Sequence, residues 1–420
     1  MRHRFTHIKG LAFVQTAQNP HGFVSGADQG NISIVENAYL DIDKGLIAGF
    51  GAMNSPEALD LSGIDTVENV EGRWILPGFV DSHTHTVFAA WRESEFDMRL
   101  KGVSYQEIAA AGGGILNSAL ALSFRDEARL CDDALQRLHS MRKTGTTAVE
   151  IKSGYGLSLE TERKMLRVIA ALKRQAPQTI KATFLGLHAL PTSFHGNIQG
   201  YVKEVVEQWL PALADEGLID FVDIFTETGY FSVQHQDILL EAAHLLGIPS
   251  KVHVNQFSSL GGVSHAVSKN AYSVDHLEVM TENDFEALAA SLVKDRPTLA
   301  TALPGCSHFL KIPYAPGRTL IDRGIPLALA SDFNPGSSPC SNLFTVWNLA
   351  CVHMGLTPKE ALAALTLNGA YSIGLESTMG SIAVGKRAHF IVTEPSTSLA
   401  FFPYRYGENH AAKVYIDGVS

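Results

Sequence analysis

Long apolar runs are missing from this 420-residue sequence. A bilayer crossing needs about 20 consecutive apolar residues, so no membrane role is expected. Cysteine is scarce: Cys131, Cys306, Cys340 and Cys351 lie far apart and form no CxxC pair. That argues against a disulfide framework and against a thiolate zinc site, and it fits a reducing cytoplasm. Basic blocks are lacking too. Lys and Arg number 33 against 43 Asp and Glu, a net charge of −10, and no lysine- or arginine-rich stripe interrupts the chain. Nucleic acid is therefore not an expected partner. The opening MRHRFTHIKGLAFV is basic but has neither a sustained apolar core nor a small-residue cleavage site, so it does not read as a signal peptide. Fixed-period repeats, low-complexity segments and charge runs are also absent. What remains is a composition 45% hydrophobic and 18% charged, enough to bury a large core.

The two ends share a texture. NISIVENAYLDIDKGLIAGFG near the start, and MGSIAVGKRAHFIVTEP with AAKVYIDGVS at the end, carry apolar residues in short alternating runs broken by turn residues. These flanks are expected to meet in one small β-domain. Between them, strand-like runs (WILPGFVDSH, TTAVEIKSG, KATFLGLHA, FVDIFTE, IPSKVHVN, AYSVDHLE, PTLATALPG, PLALASDFN) alternate with amphipathic helical patterns such as LETERKMLRVIAALKRQ. Alternation of this kind implies βα units on a parallel sheet, and eight such runs favour a closed (β/α)8 TIM barrel in the α/β class. The glycine cluster at 112–114 has no strand before it, so it reads as a mobile loop and not as a phosphate cradle.

Barrel enzymes place their chemistry where strands end. Here the first run ends in Asp81-Ser82-His83-Thr84-His85, and a strand counted as the fourth carries Lys152 and Tyr155. Later ends carry His188, His253, His276 and Asp332. His83 and His85 are two residues apart, so an extended strand turns both imidazoles to one face. With His253 and Asp332 they would form a three-nitrogen, one-oxygen set, which suits zinc or iron with one position left for water. Asp332 and His276 are the candidates for moving the water's proton and polarising a carbonyl. His276 could instead act with its neighbours to orient a ligand. Arg92, soon after the HxH pair, could hold a substrate carboxylate or merely form a salt bridge between loops. His139, His195, His235, His244, His353 and His410 sit in helical or loop contexts and read as structural or solvated.

The segment PGFVDSHTH, the β flanks and the closing TLNGAYSIGL…GSIAVGK resemble the amidohydrolase superfamily along nearly the whole chain. HTHTVFAAWRESEFDMRLKGVSYQEIAAAGGGI, VEIKSGYGLSLETERKML, LGLHALP and ASDFNPGSSPCSN resemble, more narrowly, the imidazolonepropionases of histidine degradation. The resemblance implies a (β/α)8 barrel of the metal-dependent hydrolase type (75–374) with a small β-sandwich made from residues 1–74 and 375–420. It implies hydrolysis of 4-imidazolone-5-propanoate to N-formimino-L-glutamate, one zinc or iron ion per subunit, and a homodimer. By position the metal ligands would be His83, His85, His253 and Asp332, and the catalytic pair His276 and Asp332. Substrate contacts would fall on Arg92, Tyr155, His188, Gln256, Asn334, Gly336 and Ser337. Only one ligand set is visible, so Lys152 reads as a structural residue or one standing behind the ligands, and not as a modified lysine bridging two metals.

Two positions depart from the family pattern. The run His253-Val254-Asn255-Gln256 has no acidic residue where members carry one, and His389 stands where many relatives have Asp. The second is expected to leave catalysis untouched. Two other readings stay open at this level: another amidohydrolase such as a nucleobase deaminase, and a barrel that has kept its shape as a non-catalytic scaffold.

Overall fold

The computed structural model describes residues 2–15, 22–104, 107–108 and 111–420; four positions of the long segment after the HxH pair (105, 106, 109 and 110) therefore lie outside the described residues. Among the described residues, fifteen strands divide between two sheets. The smaller, mixed sheet holds β1 (Arg2–Ala12), β2 (Ile34–Asp43), β3 (Leu46–Ala52), β4 (Thr66–Asn69) and β5 (Trp74–Pro77). The larger holds β6 (Phe79–Asp81), β7 (Thr146–Lys152), β8 (Thr179–Leu187), β9 (Phe221–Thr226), β10 (Lys251–Val254), β11 (Ser273–His276), β12 (Leu299–Ala302) and β13 (Leu327–Leu329). From the C-terminal end, β14 (Phe390–Thr393) and β15 (Ala411–Tyr415) return to the small sheet, giving the order β15-β14-β5-β1-β2-β3 with β4 on β1.

The eight strands of the larger sheet run parallel in sequence order from β6 to β13. Its two edges meet: Thr84 bridges Phe333, the His85 amide donates to the Phe333 carbonyl at 2.8 Å, and the Asp332 amide donates to His83 at 3.1 Å. This is the expected barrel, with helices between its strands. The strand bearing Lys152 is second in the barrel, not fourth. The run WILPGFVDSH is not one strand either. Its first half, β5, pairs with β1 and β14, and its second half, β6, pairs with β7. The change of sheet falls at Gly78, where a Cβ would come within 2.3 Å of Thr147 Oγ1, so only glycine lets the chain pass that close.

Both termini build the small sheet because each supplies one side of its core. Phe5 packs edge-on to Phe390 and Tyr415, at 5.2 and 5.1 Å between ring centres. Arg4, buried beneath, is held in a fork by Asp41 at 2.6 and 2.8 Å, the geometry that makes a buried arginine tolerable.

His389 sits at the foot of this sheet, buried, with Nε2 3.1 Å from Asp417 Oδ1. Burial, reinforced by Arg387 and opposed by Asp417, lowers its pKa from 6.5 to about 4. The unfolded chain thus binds a proton that the fold resists, so stability falls as pH drops from about 6.5 toward 4. Urea titrations of metal-free protein at about pH 7 and about pH 5 should show His389→Asn losing about 2 kcal/mol less than the parent over that step. Equal losses would mean that this histidine is not the acid-sensitive element.

Candidate active site

The barrel strands deliver their polar residues to one rim. His83 and His85 follow β6, His188 follows β8, His253 lies within β10, His276 ends β11 and Asp332 follows β13. All six are buried. His83 and His85 each approach Asp332 Oδ1 with Nε2 at 3.6 Å. His83, His85 and Asp332 form one set whose donor atoms lie within 4.8 Å of one another; His83, His253 and His276 form a second. The two sets share His83, so the four ligands named from the sequence converge, with His276 beside them.

The nitrogens of these rings are sorted into two kinds. His83 Nδ1 meets Asp275 at 2.7 Å and His253 Nδ1 meets Asp223 at 2.8 Å. Nε2 of both rings is buried and has no hydrogen-bond partner among the described residues. A buried nitrogen left so would cost roughly 1–3 kcal/mol, unless a cation uses the lone pair. Burial also lowers the pKa of His83, His85 and His253, so all three imidazoles are neutral and ready to ligate. The donor set fits a zinc or iron ion.

Asp332 and His276 both shift upward, the first as burial dictates and the second against it. Burial raises the Asp332 carboxyl from 3.8 to about 6, against the opposing charge of His276. For His276 burial works downward, but Glu278 and then Asp332 and Asp275 outweigh it and raise the pKa. Glu278 Oε1 lies 3.4 Å from His276 Nδ1 and accepts from Ser307 Oγ at 3.0 Å. Backbone strain gathers at the same rim: Asn255, His276, Leu277 and Asp332 all have positive φ, at 59°, 93°, 70° and 52°. Positive φ in residues other than glycine costs energy and persists where the surroundings enforce it.

A pocket of about 370 Å³, counting its open mouth, stands over this cluster. Arg92, Tyr155, His188, Gln256, Asn334 and Ser337 line it together with His85, His253, His276 and Asp332. Each is placed by a specific device. Glu162 accepts the amides of Gly154, Gly156 and Leu157 at 3.0, 2.6 and 3.0 Å, shaping the loop that presents Tyr155. His188 Nδ1 meets the Gly154 carbonyl at 3.0 Å, which makes Nδ1 the protonated nitrogen and leaves Nε2 an acceptor. Burial lowers its pKa to about 3, so it stays neutral. Arg92 opens the helix Glu93–Leu100 and lies against Gly336, where a Cβ would stand 1.5 Å from its Nη2. Glu95 ties this helix to the glycine turn, accepting from the Gly114 amide at 2.9 Å.

Asn334 behaves differently from the contact expected of it. Its Oδ1 accepts the amides of Gly336 and Ser337, and its Nδ2 donates to the Asp332 carbonyl and Ser337 Oγ, at 2.7 to 2.8 Å throughout. The amide is used up in folding the 332–337 loop, so it reaches a ligand through the residues it positions. Asn255 likewise turns its Nδ2 to Asp284 at 2.9 Å. No carboxylate stands at 254–256, but Glu278 brings one to the neighbouring strand end.

Beneath the rim lies a charged layer that sequence reasoning did not assemble. Lys152 Nζ contacts Glu150 and Asp223, each at 2.8 Å, and Lys251 Nζ lies 3.5 Å from Asp275. Burial lowers the Lys152 pKa, but Asp223, Glu150 and Asp275 outweigh it, so it remains an ammonium. Lys152 is thus a buried, ion-paired cation behind the imidazoles. Its partners were findable: Asp223 in FVDIFTE, Glu150 in TTAVEIK and Lys251 in IPSKVHVN are charges in the middle of apolar strands, which are buried only when paired.

A barrel closed by eight parallel strands, with buried imidazoles and a carboxylate at the rim, defines a metal-dependent hydrolase, and the Amidohydrolase family model matches residues 74–419. The chain belongs to that family. Among solved structures it is similar to E. coli guanine deaminase (TM-score 0.74, 14% identity, covering 100% of this chain and 98% of that one). It is also similar to 5-methylcytosine deaminase from Klebsiella pneumoniae (TM-score 0.70, 14% identity, covering 98% and 96%). At that identity the likeness concerns the fold. Sequence relatives are far nearer. The chain is 48% identical to the imidazolonepropionase of Flavobacterium johnsoniae over 415 residues, 98% of this chain and 99% of the relative. It is 46% identical to that of Christiangramia forsetii over 414 residues, 98% of each. Within the amidohydrolases it is an imidazolonepropionase family member.

Proposed function

We propose that the chain hydrolyses the cyclic amide of 4-imidazolone-5-propanoate to N-formimino-L-glutamate. The observation that carries the reading is the convergence of His83, His85, His253 and Asp332 under a pocket whose wall holds Arg92. In this reading those four residues hold the metal. A bound zinc or iron ion would supply the Lewis acidity that makes water nucleophilic near neutral pH.

The chain's own groups divide the remaining work. Arg92 and Tyr155 hold the propionate arm, which is remote from the bond that breaks and so can position the ring. His188, neutral and with Nε2 as acceptor, takes a hydrogen bond from a ring N–H; Gln256 contacts the ring from the other side of the pocket. Gly336 leaves room for the guanidinium, and Ser337 and Asn334 shape the wall beside it. Water adds to the ring carbonyl carbon, and the bond from that carbon to the ring nitrogen breaks. Asp332 accepts the water's proton and passes it to the departing nitrogen. His276, held beside Glu278, stabilises the oxyanion that develops at the carbonyl.

Domain limits within this reading fall where the sheets exchange at Gly78, with residues up to 77 and from 375 on in the small domain, three residues past the expected limit at 74 because β5 pairs in the small sheet. No helix among the described residues is long and apolar enough to cross a membrane. A cytoplasmic homodimer acting on a small molecule completes the proposal, and sedimentation of the purified chain tests the dimer. For the reaction, the test is metal content measured beside loss of imidazolone propionate absorbance and appearance of formiminoglutamate. One metal per chain with turnover is expected. Metal without turnover would move the substrate elsewhere.

A further inference from the structure

The charged layer under the rim joins the two metal-facing imidazoles that have carboxylate partners. Asp223 uses Oδ2 for both His253 Nδ1 and Lys152 Nζ, each at 2.8 Å, while its Oδ1 accepts the amides of Ile224 and His253 at 2.7 and 3.1 Å. Asp275 uses Oδ2 for His83 Nδ1 at 2.7 Å, with Lys251 and Lys152 at 3.5 and 3.8 Å, and Oδ1 for Ser273 Oγ at 2.5 Å. Glu150 closes the layer: Oε1 meets Lys152 at 2.8 Å, and Oε2 has Lys251 at 3.8 Å. Lys251 also donates to the carbonyl of Ser82, the residue between Asp81 and His83, at 3.2 Å. Every charged side chain in this layer is fully buried.

We propose that Lys152, assisted by Lys251, is a positioning residue that sets the metal affinity of the site from below. It holds Asp223 and Asp275 where they accept the Nδ1 protons of His253 and His83, and so keeps both rings with Nε2 toward the cation. The inference rests on the ligand assignment above and adds a cause for its readiness. A neutral imidazole has two tautomers, and only the Nδ1–H form has a lone pair on Nε2. An aspartate free to turn away would release that choice. Lys152 reaches both aspartates at once, so one ammonium locks two ligands. Lys152 and Lys251 also fill the deeper place where His83, Glu150 and Asp275 offer donors within 4.8 Å, leaving the rim as the place for a metal ion.

Zinc affinity, measured by competition with a chromophoric chelator, reads the proposal without reference to turnover. Removing a buried cation alone strands carboxylates, so Lys152→Met risks misfolding. The charge-balanced Lys152→Met/Glu150→Gln pair avoids this. It should fold and bind zinc about 10- to 100-fold more weakly, the usual effect of losing a group that orients a metal ligand. Leu240→Ala, a core change on the helix Val233–Leu245, should lower the unfolding temperature and leave zinc affinity alone. A folded double variant within about threefold of the parent overturns the proposal. The parent protein gives a second test that needs no variant. Nitrogen-15 spectra of the metal-free chain, with the rings assigned, should show His83 and His253 fixed as the Nδ1–H tautomer, as His188 is by the Gly154 carbonyl; either of the first two averaging between tautomers would overturn it. Zinc that binds as tightly after His253→Ala would instead overturn the ligand assignment, and this proposal with it.

Discussion

Asp332→Asn is expected to lower kcat/KM by at least about 10³-fold while leaving the fold intact. Two losses combine in that figure. Proton transfer by a placed side chain is worth roughly 10²–10⁴, and an amide cannot perform it. An anionic ligand also disappears, so metal binding weakens. The asparagine variant isolates these losses better than alanine would. Asp332 has φ 52°, a conformation asparagine adopts readily and alanine does not. Its amide still donates to His83, so the barrel seam stays closed. The two contributions separate when zinc is supplied in excess. With the site saturated, kcat should remain down by at least about 10²-fold, because the proton carrier is still missing. Recovery to within about tenfold of the parent would move the proton-carrying role away from Asp332, with His276 the next group to test.

The rim of this site was legible because its signal is local. Two histidines at i and i+2 after an apolar run share a face whatever the rest of the fold does, and His188, His253, His276 and Asp332 each end a strand-like run. Which ends meet follows once the runs are placed in order around a barrel. The layer beneath depends on register across strands, and that is not local. Asp223 reaches His253 because β9 and β10 pair with His253 opposite Phe225, and nothing in FVDIFTE fixes that pairing. Glu278 was weighed only as part of the run DHLE, and its contact was out of reach for a related reason. It is two residues past His276, but its approach to that ring depends on positive φ at His276 and Leu277, a feature no side-chain pattern announces. The joint at Gly78 was missed because WILP and FVD are buried throughout and apolar but for Asp81; periodicity cannot divide a run that faces no water.

Arg92→Ala should raise KM for the acid-bearing substrate enough to cut kcat/KM by about 10²- to 10³-fold, with metal content unchanged. The expected size follows from removing one partner of a desolvated charge pair, about 2–5 kcal/mol, at the upper part of the effect of a charged hydrogen bond. Arg92→Lys should recover little of it, because a point charge cannot reproduce a planar fork on a carboxylate. Position matters as much as charge here. The Arg92 amide donates to Pro335 at 3.1 Å, Nε lies 3.5 Å from Glu95, and the guanidinium rests against Gly336. Gly336→Ala would put a methyl group 1.5 Å from Nη2, so the guanidinium has to move. A shift of about an ångström at such a clamp can cost about 10²-fold, even with every charge retained. The decisive comparison uses imidazolone lacking the propionate arm. Arg92→Ala and Gly336→Ala should then differ little from the parent, since the arm they serve is gone. If both variants hurt the truncated ring as badly as the full substrate, Arg92 acts on the loop and the metal rim, and the carboxylate is held by some other group.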